Sequence, residues 1–431
     1  MTLLDSDMNL DTRRPDGGNG EPRRQLRVFY AAGSGDVIGT YRHWCSGKDD
    51  PTQMHVTYSR QFFDVFRQAG AACYVISSNA NAMAVRDTEM WVEHRPSRFK
   101  EGSGIRFHLT QILHGIQFAV DCVRFRANLA VVAGGTHWFM LGLLRLLGVR
   151  VVPVLHCTLW RAGTKPTLMQ RLVLKLGAFV FSRCASAVLS ASDDISAQVT
   201  TMASGRSRPI IEFLPLYRPE VFASVKPVGK DRFPFRVFYA GRIEVNKGVF
   251  DLLEIAKRFW AINRLDIVFD LCGNGAALAS LQEAVKDIGL EQTFRCHGHC
   301  RHPEMIRLIG ESHVGVVPTR TDFVEGFNQV VVECLLAGRP VVTSSVCPAI
   351  HYVDHAVVEV TADDVQAYGD ALLRLCDDPQ FYEQKHRACA EVQEQFYAEP
   401  NSFAAALREV IAAVDQNRAP RPRRVPVEVP S

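Results

Sequence analysis

The chain has 431 residues, 47% of them hydrophobic and 22% charged, with a formal net charge of +3. That is too long for one ordinary core and suggests two domains of roughly 200 residues each. So small a net charge excludes a global field for nucleic acid. The basic excess sits at the two ends, around Arg13, Arg14, Arg23 and Arg24 and around Arg418, Arg421, Arg423 and Arg424, where it reads as solvated tail rather than as phosphate or anionic-lipid contact.

In chain order, residues 1–25 and 417–431 read as disordered tails. The first domain, 26–215, alternates strands and helices: strand Leu26–Ala32, helix His55–Gln68, strand Ala72–Ser77, strand Leu129–Ala133, helix Trp138–Leu147 and strand Arg150–Leu155. A helix Leu168–Phe181, a strand Ala187–Ser190, a helix from Asp193 and a strand Pro209–Phe213 follow. After a proline-bearing break at 216–233 the alternation restarts in a second domain, 216–396. Its strands are Phe235–Ala240, Asp266–Cys272, Thr293–Cys296, Val314–Val317 and Pro340–Thr343, and its helices are Lys247–Trp260, Ala276–Asp287, Pro303–Ile309 and Gln329–Ala337. A helix within 397–416 closes the chain. Such βα alternation predicts an α/β architecture of two Rossmann-like, doubly wound domains, with ligands beyond the carboxyl ends of the strands and in the interdomain cleft.

Twelve cysteines are scattered, several in apolar runs (Cys73, Cys184, Cys272, Cys334), behind a polar amino terminus without a secretory signal. They read as reduced core thiols in a cytoplasmic protein. The longest apolar stretch, Trp138–Leu155, carries Arg145, Gly148, Arg150 and Pro153, and so reads as helix, turn and strand rather than a membrane span.

Three segments carry chemistry. In Glu325-Gly326-Phe327-Asn328-Gln-Val-Val-Val-Glu333, Glu325 falls in a loop before a helix that begins near Asn328. The free N–H groups of that helix suit an anion, Glu325 suits sugar hydroxyls, and Glu333, two turns along, suits a ribose diol. A surface glutamate and a helix-face glutamate would give the same spacing. In Tyr239-Ala-Gly241-Arg242-Ile-Glu-Val-Asn-Lys247-Gly248, a guanidinium fork and an ammonium bracket a strand-end loop, which suits a diphosphate. Gly273-Asn-Gly275 is a strand-to-helix turn that packing alone also explains.

Together Gly241-Arg242 with Lys247-Gly248, Gly273-x-Gly275, and Glu325-Gly-Phe-x5-Glu333 followed by Ala337-Gly338-x-Pro340-Val-Val resemble family 4 of the retaining glycosyltransferases, the group 1 glycosyl transferases of GT-B fold. The resemblance is specific over about 235–345 and weaker over 26–215. It implies an amino-terminal acceptor domain, a carboxy-terminal nucleotide-sugar donor domain and a final helix that crosses back to the first. Arg242 and Lys247 would then bind the donor diphosphate, Glu325 the donor sugar and Glu333 the ribose. The family often has glycine where this chain has Asn328. His156, in Val152-Pro-Val-Leu-His156-Cys-Thr-Leu-Trp160, resembles the family's strand-end histidine beside the anomeric centre; a histidine satisfied by neighbouring backbone is the lesser alternative, and His137 is a competing candidate. Gly33-Ser-Gly35 matches a glycine-rich loop near donor phosphates and acceptor, here extended as a loop to about Met54 through Tyr41, Arg42, His43, Trp44 and Lys48.

The resulting expectation is a retaining hexosyltransferase that takes a UDP or GDP sugar to a saccharide or lipid-linked acceptor in polysaccharide or glycolipid assembly. The alternatives are a GT-B epimerase or phosphorylase, or a non-catalytic sugar-nucleotide binding subunit. No cofactor is expected, and no metal. Asp5-Ser-Asp7, in the tail, offers the Asp-x-Asp motif that a divalent ion on the diphosphate would need in the core. Cys296-His-Gly-His-Cys300-Arg-His302 lacks the paired spacing of a zinc site. The helix Leu168–Phe181, with Lys165, Arg171, Lys175 and Arg183, reads as a packed helix; contact with the inner face of a membrane is the second reading.

Overall fold

The structure, a computed structural model, describes residues 25–97, 104–161, 166–227 and 233–425. Its first sheet contains β1 (Arg27–Ala31), β2 (Ala72–Ser77), β3 (Met83–Arg86), β4 (Met90–His94), β5 (Leu129–Val132), β6 (Arg150–Leu155), β7 (Val188–Ser190) and β8 (Ile210–Glu212). Their spatial order is β3-β4-β2-β1-β5-β6-β7-β8, parallel throughout except where β3 runs against β4. The central strands are buried on both sides, as parallel strands under two helical layers must be. Along β1, Phe29 and Ala31 enter one core and Val28 and Tyr30 the other, the two-residue period of a pleat.

The helices are α1 (Val37–Cys45), α2 (Tyr58–Gln68), α3 (Ile105–Phe125), α4 (Leu141–Leu146), α5 (Leu168–Phe179) and α6 (Asp193–Met202). Ile38, Tyr41, Phe62 and Phe66 of α1 and α2 cover the Tyr30 side. Phe118, Cys122, Phe125, Leu141 and Leu144 of α3 and α4 cover the Phe29 side.

The second sheet has β9 (Phe235–Ala240), β10 (Ile267–Cys272), β11 (Phe294–Gly298), β12 (Val314–Val317), β13 (Val341–Ser344) and β14 (Val357–Val360). They lie in the order β11-β10-β9-β12-β13-β14, all parallel. Strand order reverses between β1 and β5 in the first sheet and between β9 and β12 in the second. Both switch points open a crevice at the carboxyl ends of their strands. The final helix, Phe403–Asp415, returns to the first domain: the Ala404 N–H donates to Gln61 Oε1 of α2 at 3.0 Å.

Three expectations need correction. The long loop expected to reach Met54 is interrupted by the nine-residue helix α1. Asp36 caps α1 by accepting from the Gly39 N–H at 2.7 Å, and Val37, Ile38, Tyr41 and Trp44 bury one face. The hairpin β3–β4 and the 21-residue α3 fill the stretch between β2 and β5, for which the sequence pattern predicts no element. Residues 417–425 are not a free tail. The backbone of Arg423 pairs with the edge strand β8, donating to Ile210 and accepting from Glu212 at 3.0 and 2.8 Å, and Val425 is buried. An open strand edge leaves N–H and C=O groups unmet, and this segment meets them. Residues 1–24 and 426–431 lie outside the described residues, as does Lys165.

Candidate functional site

At the β9/β12 switch point lies a cavity of about 290 Å³, lined by Gly241, Arg242 and Lys247 after β9, Thr319 after β12, and Asn328, Gln329, Val330 and Glu333 from the following helix. The three residues expected at the diphosphate and ribose, Arg242, Lys247 and Glu333, thus share one space with Gly241 and Asn328. The helix Gln329–Leu336 begins there, and no side chain caps its first turn, so its N–H dipoles point into the cavity beside Arg242 and Lys247.

Gly273 and Gly275 do not line this cavity. They hold the loop that does. A Cβ on Gly273 would lie 1.8 Å from the Gly241 carbonyl oxygen, and one on Gly275 2.2 Å from that of Ile243. Backbones of the two turns therefore meet directly, with Ile243 N–H donating to Asn274 and Ala277 N–H to Ile243, both at 3.0 Å. Gly273 and Gly275, expected among the donor-binding residues, thus pack against the loop that carries Arg242.

The two cations differ. Arg242 is more than half exposed and pairs with Glu244 at 3.1 Å. Lys247 is largely covered, its side chain 13% exposed, and its Nζ lies 2.5 Å from Glu325 Oε2. The same carboxylate accepts from Thr319 Oγ1 at 3.0 Å and from the Gly326 N–H at 3.1 Å. With its amide nitrogen turned toward Glu325, Asn328 donates to both oxygens at 2.9 and 3.0 Å. The extra side chain at this position therefore holds the carboxylate. Phe323 sits under both cations, its ring centroid 5.1 Å from the Arg242 guanidinium and 4.0 Å from Lys247 Nζ. Burial pushes the Glu333 carboxyl up to about 7, and the Tyr217 hydroxyl, 3.5 Å away, partly offsets it.

The Glu325 loop is docked on the first domain. Gly326 bridges to Cys157 just past β6, and the Thr158 N–H donates to the Glu325 carbonyl at 3.1 Å. A Cβ at Gly326 would come within 2.3 Å of the His156 carbonyl oxygen, so a glycine permits this contact. His156 itself lines a second cavity of about 200 Å³ with Tyr30, Gly35, Asp36, Asp50, His55 and Tyr58. Its ring packs on Tyr58 at 4.6 Å. Burial, with His55 nearby, lowers its pKa to about 4, which makes it a neutral hydrogen-bonding group. His55 in turn faces Gln329 of the other domain at 3.5 Å.

Other expected residues lie elsewhere. Gly33 accepts from the Ser78 N–H at 2.8 Å and lies outside both cavities, whereas Gly35 lines the second. The Phe327 ring is packed in the core against Tyr352 and Phe396, so it anchors the helix start and lies outside the β9/β12 cavity. His137 contacts His108 at 3.0 Å and is likewise outside the His156 cavity. In the Cys296–His302 run, His297 Nε2 bonds Asp270 at 2.8 Å while Cys300 is buried beside Gly298. Among the described residues these side chains do not converge as a ligand set; the three-residue group that does is Asp193, Asp194 and His351. Thr319, Phe323, Tyr217, His55 and Tyr58 were not foreseen. Only Phe323 and Thr319 had a local cue, their nearness to Glu325.

Residues 223–394, most of the second domain, match the family described as glycosyl transferases group 1. Over 197 residues the chain is 25% identical to a glycogen synthase of Mycobacterium tuberculosis, covering 45% of this chain and 47% of that protein. The chain thus spans about half the length of the curated relatives it matches. In structure it is similar to a sucrose-phosphate synthase of Thermosynechococcus elongatus, with a TM-score of 0.68 at 14% identity over 91% of this chain and 100% of the other. It is similar also to HepE of Anabaena in complex with UDP and glucose, with a TM-score of 0.60 at 15% identity over 91% and 100%. At such identities the likeness establishes the fold, and the fold is GT-B. No helix among the described residues is long and apolar enough to cross a membrane.

Proposed function

We propose that the chain is a retaining, metal-independent glycosyltransferase that moves a sugar from a UDP or GDP sugar to a saccharide or lipid-linked acceptor in polysaccharide or glycolipid assembly. The observation that carries this reading is the convergence of Arg242, Lys247 and an uncapped helix N-terminus on one cavity at the β9/β12 switch point. These positive groups, with Glu333 on the same helix for the ribose, match the charge that develops as the bond to a diphosphate breaks. They do the neutralising work that a divalent ion would do.

Glu325 receives the donor sugar. Its carboxylate pairs with Lys247, so a diphosphate that engages the ammonium leaves carboxylate oxygens for sugar hydroxyls. His156, neutral and at the floor of the adjoining cavity, hydrogen-bonds at the anomeric centre, and the acceptor enters through that cavity. Retention is assigned to front-face attack, with a donor phosphate oxygen taking the acceptor proton. Thermal unfolding with UDP, GDP and ADP in EDTA tests the site. A nucleotide at about 100 times its dissociation constant adds roughly 2.7 kcal/mol. One base should stabilise the wild type and not Arg242→Ala; no shift with any nucleotide would overturn the reading.

A further inference from the structure

Fourteen of the twenty exposed large apolar side chains among the described residues lie on three segments: α3, the end of α4 and α5. On α3 the exposed Ile105, Leu109, Leu113, Ile116, Val120 and Val123 recur at helical spacing along the whole length. An ordinary surface helix shows its polar face to water; this one shows an apolar stripe. On α5 the exposed Leu168, Leu172, Leu176 and Phe179 repeat the pattern. Both helices flank the 3-10 turn Trp138–Met140 that leads into α4, on the side of the first sheet that buries Phe118, Leu141 and Val180. Their outward faces therefore share one side of the domain.

The charge around the stripes has one sign. Segments 104–126, 137–150 and 166–184 contain eight Arg and Lys and a single acid, Asp121. Asp121 is buried and paired with Arg95 at 2.6 Å. At 3.6 residues per turn, Arg106 and Arg124 border the α3 stripe, and Arg171 and Lys175 border that of α5. An apolar strip with a basic margin suits the boundary between acyl chains and anionic headgroups.

We propose that α3 and α5 form a docking face for an anionic lipid bilayer, independent of the transferase reading. His108 of α3 contacts His137 at 3.0 Å, which follows β5, so the stripe begins at the carboxyl end of the first sheet.

Flotation of the full chain with phosphatidylcholine vesicles, alone and mixed with phosphatidylglycerol, tests this. The wild type should float with the mixed vesicles and be released by salt. The exposed pair Ile116→Glu/Val120→Glu should stay in the dense fraction with unchanged thermal unfolding. Arg171→Ala/Lys175→Ala should partition roughly 25-fold more weakly, about fivefold per base removed. Wild type remaining in the dense fraction, or either variant floating as well as it, would overturn the proposal. So would a wild-type dimer in light scattering that Ile116→Glu/Val120→Glu dissociates, because the face would then cover a second copy.

Discussion

Replacing Glu333 by glutamine should make the protein more stable at neutral and higher pH. Burial raises this carboxyl from the ordinary 4.5 to about 7, with Tyr217 offsetting only part. A group whose folded pKa lies above its unfolded one costs stability as pH rises through that window, because the unfolded chain releases its proton first. The interval from 4.5 to about 7 corresponds to roughly 3 kcal/mol. Glu333→Gln removes that slope, so denaturant unfolding followed from about pH 5 to about pH 8 should show wild type falling and the variant level. A ribose diol hydrogen-bonded to an ionised carboxylate reverses the penalty. Nucleotide affinity of the wild type should therefore increase up to about pH 7, with proton release measurable by calorimetry in buffers of different ionisation enthalpy, and the variant should show neither. Parallel pH–stability curves for the two proteins would refute the reasoning.

The two cations should separate in mutation. Arg242 is exposed, so Arg242→Ala should change stability by less than about 0.5 kcal/mol while slowing donor turnover about a hundredfold or more. Lys247→Ala should also cost about 1–3 kcal/mol on denaturant unfolding, because buried Glu325 keeps only Thr319, Gly326 and Asn328. Gly273→Ala, whose Cβ would meet the Gly241 carbonyl at 1.8 Å, should lose nucleotide-dependent stabilisation by displacing the Arg242 loop. Gly326→Ala, aimed at the His156 carbonyl, should retain nucleotide binding and lose transfer, since it pushes the sugar loop off the first domain.

The second domain was legible because its signals are local. Apart from β11, each strand from Phe235 to Val317 is a short apolar run before a helix, Arg242 and Lys247 sit in a strand-end loop, and Glu333 lies about one turn into its helix. What failed was where the pattern is double or distant. In α3 both faces are apolar, one packed in the core and one exposed, so no 3.6-residue contrast appears. β3 is exposed along most of its length and gives no alternation. α1 was obscured by Gly35 and Gly39, although Val37, Tyr41 and Trp44 had helical spacing. Arg423 pairs with a strand more than two hundred residues earlier, which composition cannot reveal; its arginines and prolines looked only like a tail. Phe327 was read with its motif neighbours, yet its ring turns to the core because an apolar residue beside a buried helix start has a more favourable place there.

The most direct test of the central claim is nucleoside-diphosphate release from UDP- and GDP-sugars in EDTA, with the anomeric configuration of the product followed by NMR. The account predicts that wild type cleaves one donor without added metal and gives a product of unchanged configuration, and that Lys247→Ala and Arg242→Ala do not cleave it. Cleavage restored only by a divalent ion, an inverted product, or equal release by both variants would contradict it.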